Sequence, residues 1–177
     1  MSRPYQKANI PGPEMGVTVS DPKVIANLLK SPGKRKVMVI GSESLRWDLD
    51  GKKATDYFCE IANKIDCHVV ATGHVYGHVK DKIPTEKLWE MSLINITDRL
   101  VDKDWKGLDG NGQYNIAIFG GHIVYYVSQT LSRIKNFSNW VKTIELDKYA
   151  HPNARFSLPN LTDNEWKEFL EKVIELL

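Results

Sequence analysis

Three short, mainly apolar segments, each followed at once by glycine, limit the folds open to this chain. They read VMVI (residues 37–40), CHVVAT (residues 67–72) and NIAIF (residues 115–119). Strands that are apolar on both faces are typical of a parallel sheet covered by helices on its two sides, whereas the strands of a half-exposed antiparallel sheet alternate. The three segments therefore predict the central strands of an α/β protein.

Amphipathic segments alternate with these strands. Helices are predicted near residues 20–30, 52–65, 86–101, 122–137 and 162–177, and a fourth strand at residues 141–146. The last helix has Thr162 as its predicted cap with Glu165 placed for a capping box, and the helix before it has an apolar stripe that starts at Ile123. Irregular structure is predicted for residues 73–80 and 147–161. Strands that alternate with helices predict an open, mostly parallel sheet with helices on both faces, in which ligands bind outside the carboxyl ends of the strands.

The start of the chain differs from the rest. Residues 1–19 contain three prolines and two glycines, so we expect an extended arm there and a single α/β domain over residues 20–177. The net charge is only +2, and neither a long cationic run nor a membrane-length apolar run occurs. We therefore expect no nucleic acid or membrane partner, and a cytoplasmic location because the arm does not resemble a signal peptide.

The loop after the first strand, GSESLRW, is one candidate site. Gly41, Ser42 and Ser44 stand at a predicted helix start, where free backbone N–H groups favour an anion. The dinucleotide fingerprint fails, because Glu43 and Arg46 occupy positions at which G-x-G-x-x-G needs glycine. The missing glycines favour a structural turn over a phosphate site, and both interpretations stay open.

The second candidate is FGGH, where Gly120 and Gly121 bring bare backbone to the end of the third strand and His122 begins a helix. Tight packing is the simpler interpretation of the two glycines. His151 and Asn153 follow the fourth strand, where a ligand would also lie. These residues complete the predicted cofactor-binding set, and no catalytic residue is predicted.

Metal chemistry receives little support from the sequence. His74 and His78 have a helical metal-binding spacing, but the glycines around them predict a loop. Two thiols, Cys59 and Cys67, cannot supply the four ligands of an iron–sulfur cluster, and we expect both to be reduced and buried. No nucleophile elbow, zinc-protease or Walker motif occurs.

Four segments carry a resemblance to a known family: VMVIGSESLRWD, MSLINITDRLVDKDWKGLDGNGQYNIAIFGG, YYVSQTLSRIKNFS and HPNARFSLPNL. In order and content they resemble the epsilon subunits of the archaeal acetyl-CoA decarbonylase/synthase complex, over nearly the whole chain. The resemblance implies an open α/β fold shared with flavin- and nicotinamide-binding domains and with the DHS-like central domain of thiamine-diphosphate enzymes.

The same resemblance implies a role. Epsilon is expected to be a non-catalytic subunit beside the alpha subunit, the nickel–iron–sulfur protein of the carbon monoxide dehydrogenase component. It implies stabilisation of that component, help with electron transfer to FAD in acetyl-CoA cleavage or synthesis, and self-association within an assembly of two alpha and two epsilon chains. The alternative is a FAD- or nucleotide-binding redox protein that acts on its own.

Contacts with the alpha subunit are expected from the arm (residues 3–15) and from aromatic side chains that the sequence suggests are exposed. These are Tyr5, Tyr76 and Trp140. Aromatic anchors dominate the binding energy of interfaces, which makes them better candidates than lysines. Tyr125 and Tyr126 are interpreted as core or interface residues rather than as a platform for a flavin.

Overall fold

The structure is a computed structural model that describes Gly12 and residues 14–177, so most of the predicted arm, Tyr5 included, lies outside the described residues. The strands in this part are β1 (Val17–Thr18), β2 (Lys36–Ile40), β3 (Asp48–Leu49), β4 (Lys52–Lys53), β5 (His68–Ala71), β6 (Leu88–Glu90), β7 (Ile116–Gly120), β8 (Lys142–Glu145) and β9 (Phe156–Ser157). The α-helices are α1 (Pro22–Lys30), α2 (Ala54–Lys64), α3 (Gly73–Val79), α4 (Leu93–Val101), α5 (Val124–Phe137) and α6 (Asp163–Leu176).

The main sheet confirms the predicted α/β architecture. Within the described residues it has seven strands in the order β1-β9-β8-β7-β2-β5-β6, and every neighbouring pair is parallel. Strands β3 and β4 form a separate antiparallel hairpin between β2 and α2. The order β6-β5-β2-β7-β8-β9 is that of doubly wound dinucleotide-binding domains. The chain reverses its direction of travel across the sheet between β2 and β7, so the topological switch point lies there.

Two apolar layers cover the sheet. Helices α1, α2 and α6 pack on one face around Phe58 and Trp166, and helices α4 and α5 pack on the other around Leu100 and Leu131. The Trp166 indole is fully buried and donates a hydrogen bond to the carbonyl of Leu146 at 2.8 Å. This bond ties α6 to the chain just beyond β8.

Helix starts follow the chemistry expected from the sequence. The Asp21 carboxylate caps α1 by accepting the N–H of Lys23 at 2.9 Å, and Pro22 takes the first helical position. Thr162 and Glu165 form the predicted capping box at the start of α6. These local signals need no tertiary contact, which is why the sequence shows them.

Three local predictions were wrong. Residues 73–79 form α3 rather than a loop, because Val75 and Val79 lie one turn apart and are both fully buried, which outweighs Gly73 and Gly77. Residues 88–90 form β6 beside β5, and the helix predicted from residue 86 begins only at Leu93, after Ser92 as its cap. The segment 147–161 contains β9, which pairs with β8 and β1.

The described end of the arm joins the sheet. Val17 and Thr18 of β1 pair with Phe156 and Ser157 of β9. Just before them, a Cβ atom on Gly16 would lie 1.6 Å from the carbonyl oxygen of Ala154, so glycine alone allows this approach. The arm is therefore docked on the edge of the domain from Gly16 onward.

Candidate functional site

A cleft of about 280 Å³ opens at the carboxyl ends of the four strands around the switch point. It lies where doubly wound proteins bind their ligands. Its lining combines bare backbone, hydroxyl groups and imidazole: Gly41, Ser42, Thr72, Ser92, His122 and Tyr126. Three predicted site residues, Gly41, Ser42 and His122, are therefore brought together.

The first glycine loop uses its backbone donors within the protein. Residues 42–45 form a short 3₁₀ helix instead of the predicted α-helix start. The N–H of Gly41 donates to the carbonyl of Gly120 at 2.9 Å, and the N–H of Glu43 donates to that of Gly121 at 2.8 Å. The Ser44 hydroxyl turns inward and donates to the Gly41 carbonyl at 2.6 Å.

No buried contact among the described residues directs Arg46, the arginine of this loop, toward the cleft. Arg46 pairs with Glu43 at 3.1 Å, three residues away, and its side chain is 76% exposed. The nearby carboxylates have other partners, since Asp48 pairs with Lys53 and Asp50 pairs with Lys167. An exposed pair of this kind contributes little to stability.

Contact between the two loops explains the glycines. A Cβ atom on Gly41 would lie 2.2 Å from the carbonyl oxygen of Gly121, and one on Gly120 would lie 2.7 Å from the Phe58 ring. Gly121 has a φ of +80° and faces Ser44 so closely that a Cβ atom would lie 2.5 Å from the serine Cβ. The strand–glycine–helix layout thus lets the two loops pack on each other, as the simpler interpretation predicted.

Asp147 occupies the backbone donors of the second glycine loop. Its carboxylate accepts the N–H of Gly121 at 2.6 Å and that of His122 at 3.4 Å, just before α5. No side chain of the described residues caps α5. A carboxylate at a helix start is stabilised by free N–H groups and by the helix dipole, as a bound phosphate would be. The chain therefore supplies its own anion at this position.

Glu145 lies beside Asp147, and both side chains are fully buried. Burial and the neighbouring charge of Asp147 raise the pKa of Glu145 well above its ordinary value. Burial also raises the pKa of Asp147 to about 6, against the opposing effect of the Gly121 N–H. The sequence analysis missed both acids. The signal was present in IELD (residues 144–147), where two acidic residues separated by one leucine stand at the end of a predicted strand.

The two predicted site histidines are buried and neutral. His122 is 5% exposed and His151 is 1% exposed, and neither imidazole has a hydrogen-bond partner among the described residues. Burial, together with the nearby His151, lowers the pKa of His122 to about 3. Burial lowers the pKa of His151 to about 4. Through its ring edge, His122 also contacts the ring of Phe119, with centroids 6.1 Å apart.

The remaining predicted site residues lie away from the cleft lining. Asn153 donates to the Ser128 hydroxyl at 3.1 Å and accepts from Lys135 at 2.7 Å, so its amide fastens the segment after β8 to α5. His151 lies in the interior beside His122, and Ser44 lies behind Gly41. The eight residues predicted as one cofactor site are thus divided among the cleft, the loop contact and the interior.

The thiols are free and buried in the described structure, as predicted. Burial raises the pKa values of Cys59 and Cys67 to about 12, so both are uncharged thiols at neutral pH. His74 and His78 lie one turn apart on α3 and are both exposed. Within residues 14–177, no three His, Cys, Asp or Glu side chains lie together so as to hold a metal ion.

Exposed apolar side chains belong to the lining of the cleft or adjoin it in the chain, and we call them its rim. Ile123, which lines the cleft just before α5, is 42% exposed. Tyr125, next to the lining residue Tyr126, is 68% exposed, and Ile94, next to the lining residue Leu93, is 46% exposed. The prediction of exposure for Tyr76 and Trp140 was wrong, because both are partly buried against the two apolar layers. Ile123 was predicted to extend the buried stripe of α5, but that stripe begins at Val127.

Fold and site together define a doubly wound α/β protein whose glycine loops are packed on each other and whose cleft has an apolar rim. Comparison with known families then gives a narrower assignment. Residues 1–176 match the family described as CO dehydrogenase beta subunit/acetyl-CoA synthase epsilon subunit, and the chain belongs to that family. The resemblance seen in the sequence is confirmed.

Individual relatives agree with this assignment. A protein of Methanothrix soehngenii named acetyl-CoA decarbonylase/synthase complex subunit epsilon is 35% identical over 91% of this chain and 82% of its own length. Its namesake from Methanothermobacter thermautotrophicus is 33% identical over 96% of this chain and 93% of its own length. Subunit epsilon 1 of Archaeoglobus fulgidus is 34% identical over 90% of this chain and 84% of its own length.

No described helix is long and apolar enough to cross a membrane.

Proposed function

We propose that this chain is a non-catalytic subunit of a cytoplasmic acetyl-CoA decarbonylase/synthase complex. It binds the alpha subunit of the carbon monoxide dehydrogenase component and stabilises it while the complex cleaves or makes acetyl-CoA. The observation that carries this proposal is the similarity to proteins named subunit epsilon over at least nine-tenths of the chain. We also propose self-association of the chain within an assembly of two copies of each subunit.

The site geometry supports a role through contact. Asp147 and the carbonyls of the glycine loops take up backbone donors that a phosphate would otherwise use. The exposed residues Ile94, Ile123 and Tyr125 offer apolar area at the mouth of the cleft, which suits an interface with an aromatic anchor. We place the alpha-subunit contact on this rim.

Replacement of Tyr125 by serine should weaken binding of the alpha subunit at least thirtyfold, the loss of about 2 kcal/mol that defines an interface anchor. Calorimetric titration of the alpha subunit measures this. Phe137→Ser is the matched control, because Phe137 is 70% exposed at the opposite end of the same helix. Unchanged binding by Tyr125→Ser, or equal losses in both variants, would contradict this placement.

A second candidate is suggested by the position of the cleft at the switch point. Under this proposal FAD binds against Gly41, Ser42 and His122, and the chain assists electron transfer from CO oxidation or acts as a redox protein on its own. This proposal includes a fold relationship between the chain and the DHS-like NAD/FAD-binding domains. The phosphates of FAD would lie on the Ser42 and Ser92 side, since Asp147 occupies the donors before α5.

Titration with FAD tests this candidate. At a FAD concentration one hundred times the dissociation constant, the free energy of unfolding should rise by about 2.7 kcal/mol, because the ligand binds only the folded state. Ser42→Tyr should abolish this gain by filling the cleft, whereas Ser20→Tyr, at an exposed residue before α1, should keep it. The titration is done with and without the alpha subunit. If FAD has no effect in either case, the flavin role is excluded, while the proposed role as a subunit is not affected.

A further inference from the structure

A short series of contacts connects a buried acid pair to both loops of the cleft. Glu145 adjoins Asp147, and the Asp147 carboxylate holds the N–H of Gly121 at 2.6 Å. The carbonyl of the same Gly121 holds the N–H of Glu43 at 2.8 Å. Whatever changes the charge of the pair therefore acts on the second loop directly and on the first loop through a single residue, Gly121.

We propose that Glu145 and Asp147 form a proton-operated clamp on the Gly41–Glu43 and Gly120–His122 loops. One proton shared between the two carboxyl groups keeps the loops together, and loss of that proton releases them. The proposal does not depend on the alpha subunit or on FAD.

The surroundings of the pair explain why one shared proton is needed. Neither Glu145 oxygen has a well-formed hydrogen bond among the described residues, although the nearby Asp147 N–H acts to lower the pKa of Glu145. A protonated Glu145 that donates to the Asp147 carboxylate is the arrangement that satisfies both side chains. Two full negative charges side by side in a buried site would be strongly unfavourable, as in the paired carboxyl groups of acid proteases. The pair thus has a stable state with a single negative charge.

Few positive charges are available to compensate a second negative charge. Among the described residues, Lys148 and the N–H of His122 act on Asp147, and the His151 imidazole lies near that of His122. Lys148 is engaged with Asp163 and lies 5.7 Å above the ring of Trp47. Both imidazoles are neutral because of burial, with lowered pKa values. The backbone N–H groups before α5 compensate one carboxylate, and that one is Asp147.

The direction of the pH effect follows from the raised pKa values. The folded protein keeps protons on Glu145 and Asp147 that the unfolded chain has released, so their stabilising effect is present at low pH. It is lost as the pH rises through the folded-state pKa values, first about 6 for Asp147 and then the higher value of Glu145. Full ionisation, and with it release of the loops, is expected on the alkaline side.

Hydrogen exchange of the isolated protein tests the clamp. After correction for intrinsic exchange, protection of the Glu43 and Gly121 amides should fall by up to tenfold per pH unit where the closed loops keep the shared proton and the open loops have released it. The fall should level off above the folded-state pKa of Glu145, where both states have lost that proton. Glu145→Gln should abolish this fall, because glutamine donates to Asp147 without ionising. Glu168→Gln, at an exposed position on α6, is the matched control and should behave as the original protein.

Infrared spectroscopy gives a second measurement that needs no loop opening. The original protein should show the C=O band of a protonated carboxylic acid at neutral pH, and Glu145→Gln should lack it. Absence of the band at neutral pH, or loop protection that does not change between neutral and alkaline pH, would overturn the proposal.

Discussion

Replacement of Gly41 by alanine is expected to lower the free energy of unfolding by about 3 kcal/mol or more. The new Cβ atom would lie 2.2 Å from the carbonyl oxygen of Gly121 and 2.6 Å from the ring of His122. A backbone carbonyl cannot turn aside as a flexible side chain can, and this peptide group also holds the N–H of Glu43. Relief of the clash therefore has to separate the two loops, with the loss of their hydrogen bonds.

Urea denaturation of the purified variants measures this effect from the shift of the midpoint at constant slope. Gly77→Ala is the matched control, since the added methyl group would meet no described atom within 4 Å apart from its chain neighbours and the backbone of its own helix. Gly77 lies inside α3, so alanine there should raise stability by about 0.5–1 kcal/mol. If Gly41→Ala were as stable as the original protein, the glycine would not be required by loop contact, and the phosphate interpretation would regain support.

Acidification is expected to destabilise the protein through His122 and His151. Their pKa values are lowered in the folded state, to about 3 and about 4, from an ordinary value of 6.5. The unfolded chain therefore binds protons that the folded protein does not, and stability is lost as the pH falls below 6.5 toward the folded-state values. Between pH 7 and about 4.5, each histidine should cost roughly 2–3 kcal/mol.

Glu145 and Asp147 act in the opposite direction over part of this range, so the comparison has to be made between variants. His122→Met and His151→Met remove one imidazole each, and the difference from the original protein isolates its contribution. Each variant should lose less stability on acidification than the original protein, by the amount given above. His74→Met, at an exposed position on α3, should follow the original curve. Parallel pH profiles for all four proteins would show that the buried imidazoles do not control acid stability.

The sequence predicted those parts of the fold that depend on local signals. Apolar strands such as residues 37–40 and capping groups such as Thr162 act over a few residues, and both were found where expected. Helix α3 was missed because Gly73 and Gly77 suggested a loop, while the burial of Val75 and Val79 that stabilises the helix depends on tertiary packing. Strand β6 was missed for a similar reason, since only pairing with β5 separates it from the following helix.

The candidate site was predicted only in part. The strand ends placed Gly41, Ser42 and His122 together, because parallel strands finish at one edge of the sheet. Asp147 was missed because its bond to Gly121 spans 26 residues and joins different strands. Without that contact, a glycine loop before a helix has the same sequence pattern whether it receives a phosphate or a carboxylate of its own chain.

The proposed function requires that this protein binds a metal-bearing alpha subunit. Light scattering during gel filtration tests this most directly when the purified chain, the alpha subunit and their mixture are compared. We expect the mixture to elute as one species with equal numbers of both chains and a mass above that of either alone. Two separate peaks with the masses of the individual proteins, at concentrations well above a micromolar dissociation constant, would contradict it.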